Sequence, residues 1–95
     1  MIKYIAEFIG TFLFITIILR SGNSGILQPF VIATGLLGAI FFGASISGGH
    51  FNPAISLMMH VQNKELFGLR DLGGFVTAQL LGGIIALKLF KMYPK

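Results

Sequence analysis

The sequence predicts an all-α membrane protein with three membrane-spanning helices and one short helix that enters the bilayer without crossing it. Three apolar segments, near residues 4–19, 28–44 and 72–90, approach the length needed for a hydrocarbon core of roughly 30 Å. Hydrophobic residues make up 55% of the 95 residues and charged residues 11%, which is more apolar surface than so small a soluble domain buries. The short helix is predicted from the stretch 47–57, Ser-Gly-Gly-His-Phe-Asn-Pro-Ala-Ile-Ser-Leu, between the second and third segments.

The charge and cysteine content exclude several classes of protein. The formal net charge of +4 comes from basic residues at the span ends, which indicates contact with lipid head groups and no nucleic-acid partner. The absence of cysteine excludes disulfides and thiolate metal sites. We expect no cleaved leader, because Glu7 interrupts the first apolar run. The chain is therefore expected to form one domain, residues 1–95.

Glu7 is the informative residue of the first span. An acid in a membrane helix is costly and normally faces the bundle interior with a partner. Glu7 shares a helical face with Thr11, Phe14 and Ile18, at spacings of three and four residues. The alternative is a Glu7 near enough to the membrane surface to stay hydrated.

The second and third spans each carry a face of small residues at every fourth position. Such faces let helices approach closely, either around a pore or in ordinary membrane-helix packing. They are Gly35, Ala39 and Gly43 in the second span and Ala78, Gly82 and Ala86 in the third. Residues 21–25 are expected to form a turn, and residues 60–72 are expected to form a polar connection with solvated charges.

The stretch 47–57 begins a helix by its own chemistry. Asn52 is a favoured N-cap and Pro53 a favoured first helical residue, so a helix is expected to about residue 61. Gly48 and Gly49 permit a tight backbone with exposed carbonyls. Such a backbone is tolerated at membrane depth only where it is buried in protein or lines an aqueous cavity. This predicts a re-entrant loop whose half-helix directs its positive end at a pore.

These residues resemble the first signature loop of the aquaporin (major intrinsic protein) family, Ser-Gly-Ala-His-x-Asn-Pro-Ala-Val-Thr. The runs Ala-Glu-Phe-Ile-Gly-Thr-Phe-Leu at 6–13 and Ala-Gln-Leu-Leu-Gly-Gly at 78–83 are similar to the family's first and third spans. The resemblance covers nearly the whole chain, but as the first half of a family member. Members of the family normally have two inverted halves with one Asn-Pro-Ala loop each, and this chain has one such loop.

The resemblance implies a function for the loop residues. The backbone carbonyls of Gly48, Gly49 and His50 would form a ladder of hydrogen-bond acceptors for a permeating molecule. Asn52 would donate to that molecule at the pore centre, beside Pro53 and Ala54. This pattern suits water or another small neutral solute, because each lost hydration bond is replaced.

Two further residues are expected to support the loop. The resemblance implies that Glu7 accepts hydrogen bonds from loop N–H groups and so directs the carbonyls to the pore. Gln79 is expected to form hydrogen bonds inside the bundle. His50 and His60 have no neighbouring carboxylate in the sequence, so we expect no metal site and no cofactor.

The chain departs from the family pattern at its outer constriction. Ile32 stands where the family places a filter residue that is often aromatic. Ile55 follows Asn-Pro-Ala as in the family's first loop, but the second loop, which carries an arginine there, has no copy in this chain. The constriction is therefore expected to be apolar.

The basic residues are almost evenly divided between the two predicted membrane sides. One side has Lys3, Lys64 and Arg70, and the other has Arg20, Lys88, Lys91 and Lys95. This balance permits insertion in both orientations. It favours an antiparallel homodimer that replaces two fused halves, with further clustering into four pores, since family pores form tetramers.

The sequence therefore predicts an integral multi-pass membrane protein that acts as a channel subunit for water or another small neutral solute. One alternative is a truncated or accessory half that needs a different protein and has no pore of its own. An ion-coupled transporter is less favoured, because Glu7 is the only acid available for coupling. An enzyme is not expected, because no nucleophile, base and orienting residue converge.

Overall fold

A computed structural model of the chain describes residues 1–93. Within that range the protein is helical, with α1 at Ile2–Arg20, α2 at Gln28–Gly43, α3 at Pro53–Gln62 and α4 at Leu69–Met92. Two short 3₁₀ turns, Ser21–Asn23 and Gly25–Leu27, join α1 to α2. Three segments, Ile2–Asn23, Gly25–Gly43 and Leu69–Met92, are long and apolar enough to cross a membrane. The prediction of three spans is confirmed, and each lies close to its expected range. Lys95, one of the expected basic anchors, lies outside the described residues.

The connection after α3 is shorter than the sequence suggested. Residues 60–72 were expected to be a polar connection; the connection is present but its predicted bounds are wrong, because α3 continues to Gln62 and α4 begins at Leu69. Asp71 lies in the first turn of α4, where an acid interacts favourably with the positive end of the helix dipole. Its Oδ1 atom lies 2.7 Å from Lys3 Nζ and accepts a hydrogen bond of 2.9 Å from the Tyr4 hydroxyl. These contacts join the starts of α1 and α4.

α1 is the central helix and packs against both other long helices. The face of small residues on α4 lies at the contact with α1, where Ala78 and Ala86 are buried. A Cβ atom on Gly82 would lie 2.7 Å from the Phe8 carbonyl oxygen, so the two backbones approach more closely than any larger residue allows. On the other side of α1, Gly35 of α2 packs against the Ile17 side chain.

The Phe51 ring is inserted between α1 and α2. A Cβ atom on either Gly10 or Gly43 would overlap the ring, so both helices leave space for it only through glycine. Phe51 is 5% exposed and has a φ of +53°, in the left-handed region that non-glycine residues seldom adopt. Such a backbone costs on the order of 1–3 kcal/mol and persists only where its surroundings fix it.

We predict that Gly10→Ala destabilises the protein, because the added methyl group must displace the Phe51 ring. Overpacking of this kind costs typically about 1–3 kcal/mol. The matched control is Gly38→Ala, because a Cβ on Gly38 of α2 has no neighbour within 4 Å. Thermal unfolding of the purified protein in detergent, followed by circular dichroism, should show a lower Tm for Gly10→Ala only. Equal midpoints for the two variants would contradict this account of the Phe51 site.

Candidate functional site

The segment between α2 and α3, residues 44–52, folds back onto α1. Gly48 has a φ of +95° and Gly49 a φ of +65°, which explains why glycine occupies both positions. Space is also restricted at Gly49, where a Cβ would lie 3.4 Å from the Ile40 Cα atom. The backbone therefore reverses direction just before His50.

The Glu7 carboxyl group fixes this reversed backbone. Glu7 has no exposed surface, and each of its oxygens accepts two hydrogen bonds. Oε2 accepts from the Ser47 hydroxyl at 2.6 Å and from the His50 N–H at 3.0 Å. Oε1 accepts from the Phe51 N–H at 2.8 Å and from the Gln79 Nε2 at 2.9 Å. The burial of a carboxyl group is thus compensated by four donors, two of which are backbone N–H groups of the loop.

A second set of hydrogen bonds connects this centre to α3 and α4. Gln79 Nε2 also donates to Ser56 Oγ at 2.8 Å, and Ser56 Oγ lies 2.9 Å from His50 Nδ1. Ser56 is fully buried, and the His50 ring packs against Phe67 and Phe75, at centroid distances of 5.1 and 4.8 Å. The network therefore links α1, the loop, α3 and α4 through Glu7.

Sequence reasoning did not assign roles to Ser47 and Ser56 in this network. Both lie in the signature stretch, and Ser56 follows Asn52 by one helical turn in an otherwise apolar segment. That isolated polar residue was the available signal. Phe51 was also missed, because a positive φ at a phenylalanine has no signature in composition or spacing.

Asn52 caps α3, as predicted. Its Oδ1 accepts a hydrogen bond of 2.8 Å from the Ala54 N–H, and Pro53 is the first helical residue. Since the oxygen is engaged by the helix, the amide group of the exposed Asn52 side chain presents its two N–H donors outward. Within residues 1–93, the carbonyl oxygens of Gly48, Gly49 and His50 accept no hydrogen bond. The three free acceptors, these carbonyl oxygens, therefore come just before the free donor, the Asn52 amide, along the chain.

The other predicted site residues lie on separate elements. Ile32 is half-buried on α2, whereas Pro53, Ala54 and Ile55 form the exposed first turn of α3. His60, at the other end of α3, is 2.8 Å from the Phe67 carbonyl oxygen through its Nδ1. No group of three His, Cys, Asp or Glu side chains that could hold a metal occurs in the described part of the chain.

Comparisons with known proteins show which family the chain resembles. The family model for the major intrinsic protein family matches residues 1–95. The chain is 34% identical to the glycerol uptake facilitator protein-like 6 of Lactiplantibacillus plantarum, covering 96% of this chain and 43% of that protein. It is 40% identical to mouse (Mus musculus) aquaporin-8, covering 93% of this chain and 35% of that protein. It is 34% identical to aquaporin AqpM of Methanothermobacter thermautotrophicus, covering 93% of this chain and 46% of that protein.

The matched region is the first half of these relatives, so the chain spans less than half of their length. No solved structure matches the chain. The three apolar helices and the family match together identify an integral, multi-pass membrane protein. With all 95 residues matched by its family model, the chain belongs to the major intrinsic protein family, as a counterpart of the first half of its aquaporin and glycerol-facilitator members.

Proposed function

We propose that the chain is a channel subunit for the passive permeation of water or another small neutral solute. The observation that supports this most directly is the loop held by Glu7, in which the two backbone N–H groups of His50 and Phe51 point to the carboxyl group. The carbonyls that precede these N–H groups, those of Gly49 and His50, accept no hydrogen bond within residues 1–93 and are left for another partner. In this proposal residues 44–52 and α3 form a re-entrant half-crossing of the bilayer.

The donor and acceptor pattern indicates the class of solute. The carbonyls of Gly48, Gly49 and His50 accept hydrogen bonds from the solute, and the Asn52 amide donates to it. A molecule that is both a donor and an acceptor exchanges its hydration for these contacts at little cost. Cations are disfavoured, because the N-terminus of α3 carries the positive end of the helix dipole.

The pore is completed by a second copy in the opposite orientation. One chain leaves the first turn of α3 exposed, and it corresponds to one half of its relatives. The predicted numbers of basic residues on the two sides of the membrane are nearly equal, which allows the chain to insert in both orientations. Each copy is then a single domain that forms one half of the pore. Ile32 and Ile55 of both copies form the outer constrictions of that pore. An apolar constriction slows water by partial dewetting and favours less polar neutral solutes.

The alternative is an accessory half that requires a different protein. It is favoured by the chain's match to only 35–46% of the three relatives' length. Cross-linking in the native membrane separates the two functions: adducts of the chain with itself support the homodimer, whereas a dominant adduct with a second protein supports the accessory half.

The first test is osmotic shrinkage of proteoliposomes that contain only the purified chain, with empty liposomes as the reference. We predict rapid shrinkage without proton leak for the natural sequence, and shrinkage at the empty-liposome rate for Asn52→Ala. The variant loses the donor to the solute. It also loses the cap of α3, and loss of the cap alone lowers stability by about 1 kcal/mol.

Asn52→Ser is the matched control for the cap. Its hydroxyl oxygen still accepts from the Ala54 N–H, but it lacks the outward amide donors. Reduced shrinkage with normal thermal stability is therefore expected. If Asn52→Ala were as permeable as the natural sequence, the proposed role of the loop would be ruled out. If vesicles with the natural sequence do not shrink faster than empty liposomes, the same assay with glycerol decides between a different solute and an incomplete pore.

We predict that Glu7→Gln impairs both folding and permeation. In this variant an NH2 group replaces one of the two carboxyl oxygens and faces the two donors that the oxygen accepted from. Two hydrogen bonds to an ionisable acceptor are therefore lost, each worth about 1.5–3 kcal/mol. Glu65→Gln makes the same chemical change at an exposed residue and is the control. The apparent free energy of unfolding in mixed micelles should fall by at least about 3 kcal/mol for Glu7→Gln only, with a parallel loss of shrinkage. A Glu7→Gln protein that is as stable and as permeable as the control would show that the loop does not depend on the carboxyl group.

A further inference from the structure

A cluster of four aromatic rings lies beside the loop that Glu7 holds. The Tyr4 and Phe75 rings meet edge to face, with their centroids 6.0 Å apart and their planes at 88°. The Phe75 ring centroid in turn lies 4.8 Å from that of His50 and 4.8 Å from that of Phe67. Phe75 is 1% exposed and His50 is 6% exposed, so these contacts are in the protein interior. The Tyr4 ring is therefore connected to His50 through a single ring, that of Phe75.

Tyr4 itself is fixed by residues at the starts of α1 and α4. Its hydroxyl donates to Asp71 Oδ1, the oxygen that also pairs with Lys3, and Lys3 Nζ lies 5.6 Å from the centroid of the Tyr4 ring. Gly74 of α4 gives the ring its space, because a Cβ atom there would lie 2.5 Å from Tyr4 Cε1. None of these contacts involves residues 44–52, so they fix the ring independently of the loop.

His50 is held at both its backbone and its side chain. The backbone N–H donates to Glu7 Oε2 at 3.0 Å, and the ring nitrogen Nδ1 lies 2.9 Å from Ser56 Oγ. The ring also packs against Phe75. With the N–H and the ring both fixed in a dense interior, the peptide group that carries the His50 carbonyl has little freedom to turn. The direction of that carbonyl therefore depends on where the ring lies.

We propose that Tyr4 is a positioning residue for the loop: acting through Phe75, its ring fixes the His50 ring and so the direction of the His50 carbonyl. Tyr4 needs no contact with a permeating molecule for this role. The consequence for permeation rests on the proposed channel function, whereas the consequence for the loop can be measured without it.

The effect of Tyr4 is expected to be partial, because a second element supports the same histidine. Phe67 lies in the connection between α3 and α4, its ring centroid is 5.1 Å from that of His50, and its carbonyl oxygen is 2.8 Å from His60 Nδ1. This support remains when the Tyr4 ring moves. Loss of one favourable aromatic pair changes an equilibrium roughly two- to tenfold, and we expect opening of the loop to change within that range.

The substitutions Gly74→Ala and Gly73→Ala form a matched pair that separates positioning from helix stability. Both add one methyl group to neighbouring residues of α4, and both replace glycine by a better helix former. Only the methyl group at position 74 meets the Tyr4 ring, since a Cβ atom on Gly73 has no neighbour within 4 Å. A looser loop in Gly74→Ala would therefore not be the consequence of a weaker helix.

The loop is followed by hydrogen exchange of the His50 and Phe51 backbone N–H groups, measured by NMR of the isotope-labelled protein in micelles. We expect these two groups to exchange roughly two- to tenfold faster in Gly74→Ala than in Gly73→Ala, with equal exchange in α2. Equal exchange of the two loop groups in both variants would overturn the proposal. Faster exchange throughout the Gly74→Ala protein would also overturn it, because that result is general destabilisation.

Substitution of Tyr4 identifies the part of its side chain that acts. Tyr4→Phe keeps the ring and loses the hydroxyl, whereas Tyr4→Leu loses the ring. Exchange of the two loop groups should stay near the natural rate in Tyr4→Phe and rise in Tyr4→Leu. Tyr93→Leu is the control, because it makes the same change at a residue that is 64% exposed at the other end of α4. If Tyr4→Leu exchanges no faster than Tyr93→Leu, or if Tyr4→Phe is as fast as Tyr4→Leu, the Tyr4 ring does not position His50.

Permeation is the second measurement. Proteoliposomes with Gly74→Ala should shrink more slowly than those with Gly73→Ala, because the His50 carbonyl is no longer directed at the solute. Faster loop exchange with natural permeability would keep Tyr4 as a positioning residue of the loop and overturn its consequence for the channel. If vesicles with the natural sequence pass neither water nor glycerol, the channel is rejected, and the exchange measurements still decide whether Tyr4 positions His50.

Discussion

The structure depends on one electrostatic constraint, the burial of Glu7 in an apolar bundle. A carboxyl group without exposed surface needs a donor for each lone pair, and in this chain the donors come from two distant parts of the sequence, the loop at residues 44–52 and α4. Ser47 and the loop N–H groups approach from one side, and Gln79 approaches from α4. The cost of leaving the carboxyl unpaired is therefore what folds the loop onto α1, and the position of α4 is fixed by the same group.

Steric complementarity reinforces this constraint at the next residue. The N–H of Phe51 donates to Glu7, and with a φ of +53° at this residue the ring lies in the gap between α1 and α2. Gly10 and Gly43 are the residues that open this gap. Hydrogen bonding and packing thus specify the same unusual backbone, which is how a conformation costing on the order of 1–3 kcal/mol remains the folded one.

Much of the fold could be predicted from sequence, because it depends on local patterns. Apolar length gave the three spans, and Asn52 followed by Pro53 marked the start of α3. The errors lie where tertiary contact decides: Asp71 was assigned to a solvated connection, but it belongs to the first turn of α4 and pairs with Lys3. The roles of Phe51 and Ser56 arise from backbone conformation and from contacts between distant segments, which no short motif encodes.

The distribution of satisfied and unsatisfied groups indicates what half of a two-half fold can do alone. Every partner of Glu7 lies in the same chain, so the loop is fixed without a second half. Among residues 1–93, the groups without a hydrogen-bond partner include the carbonyls of Gly48, Gly49 and His50 and the Asn52 amide. None of these groups is a donor to Glu7, so folding of the loop does not depend on a partner that pairs with them. In the proposed homodimer, the inverted copy therefore has to supply no contact at the centre that holds the loop.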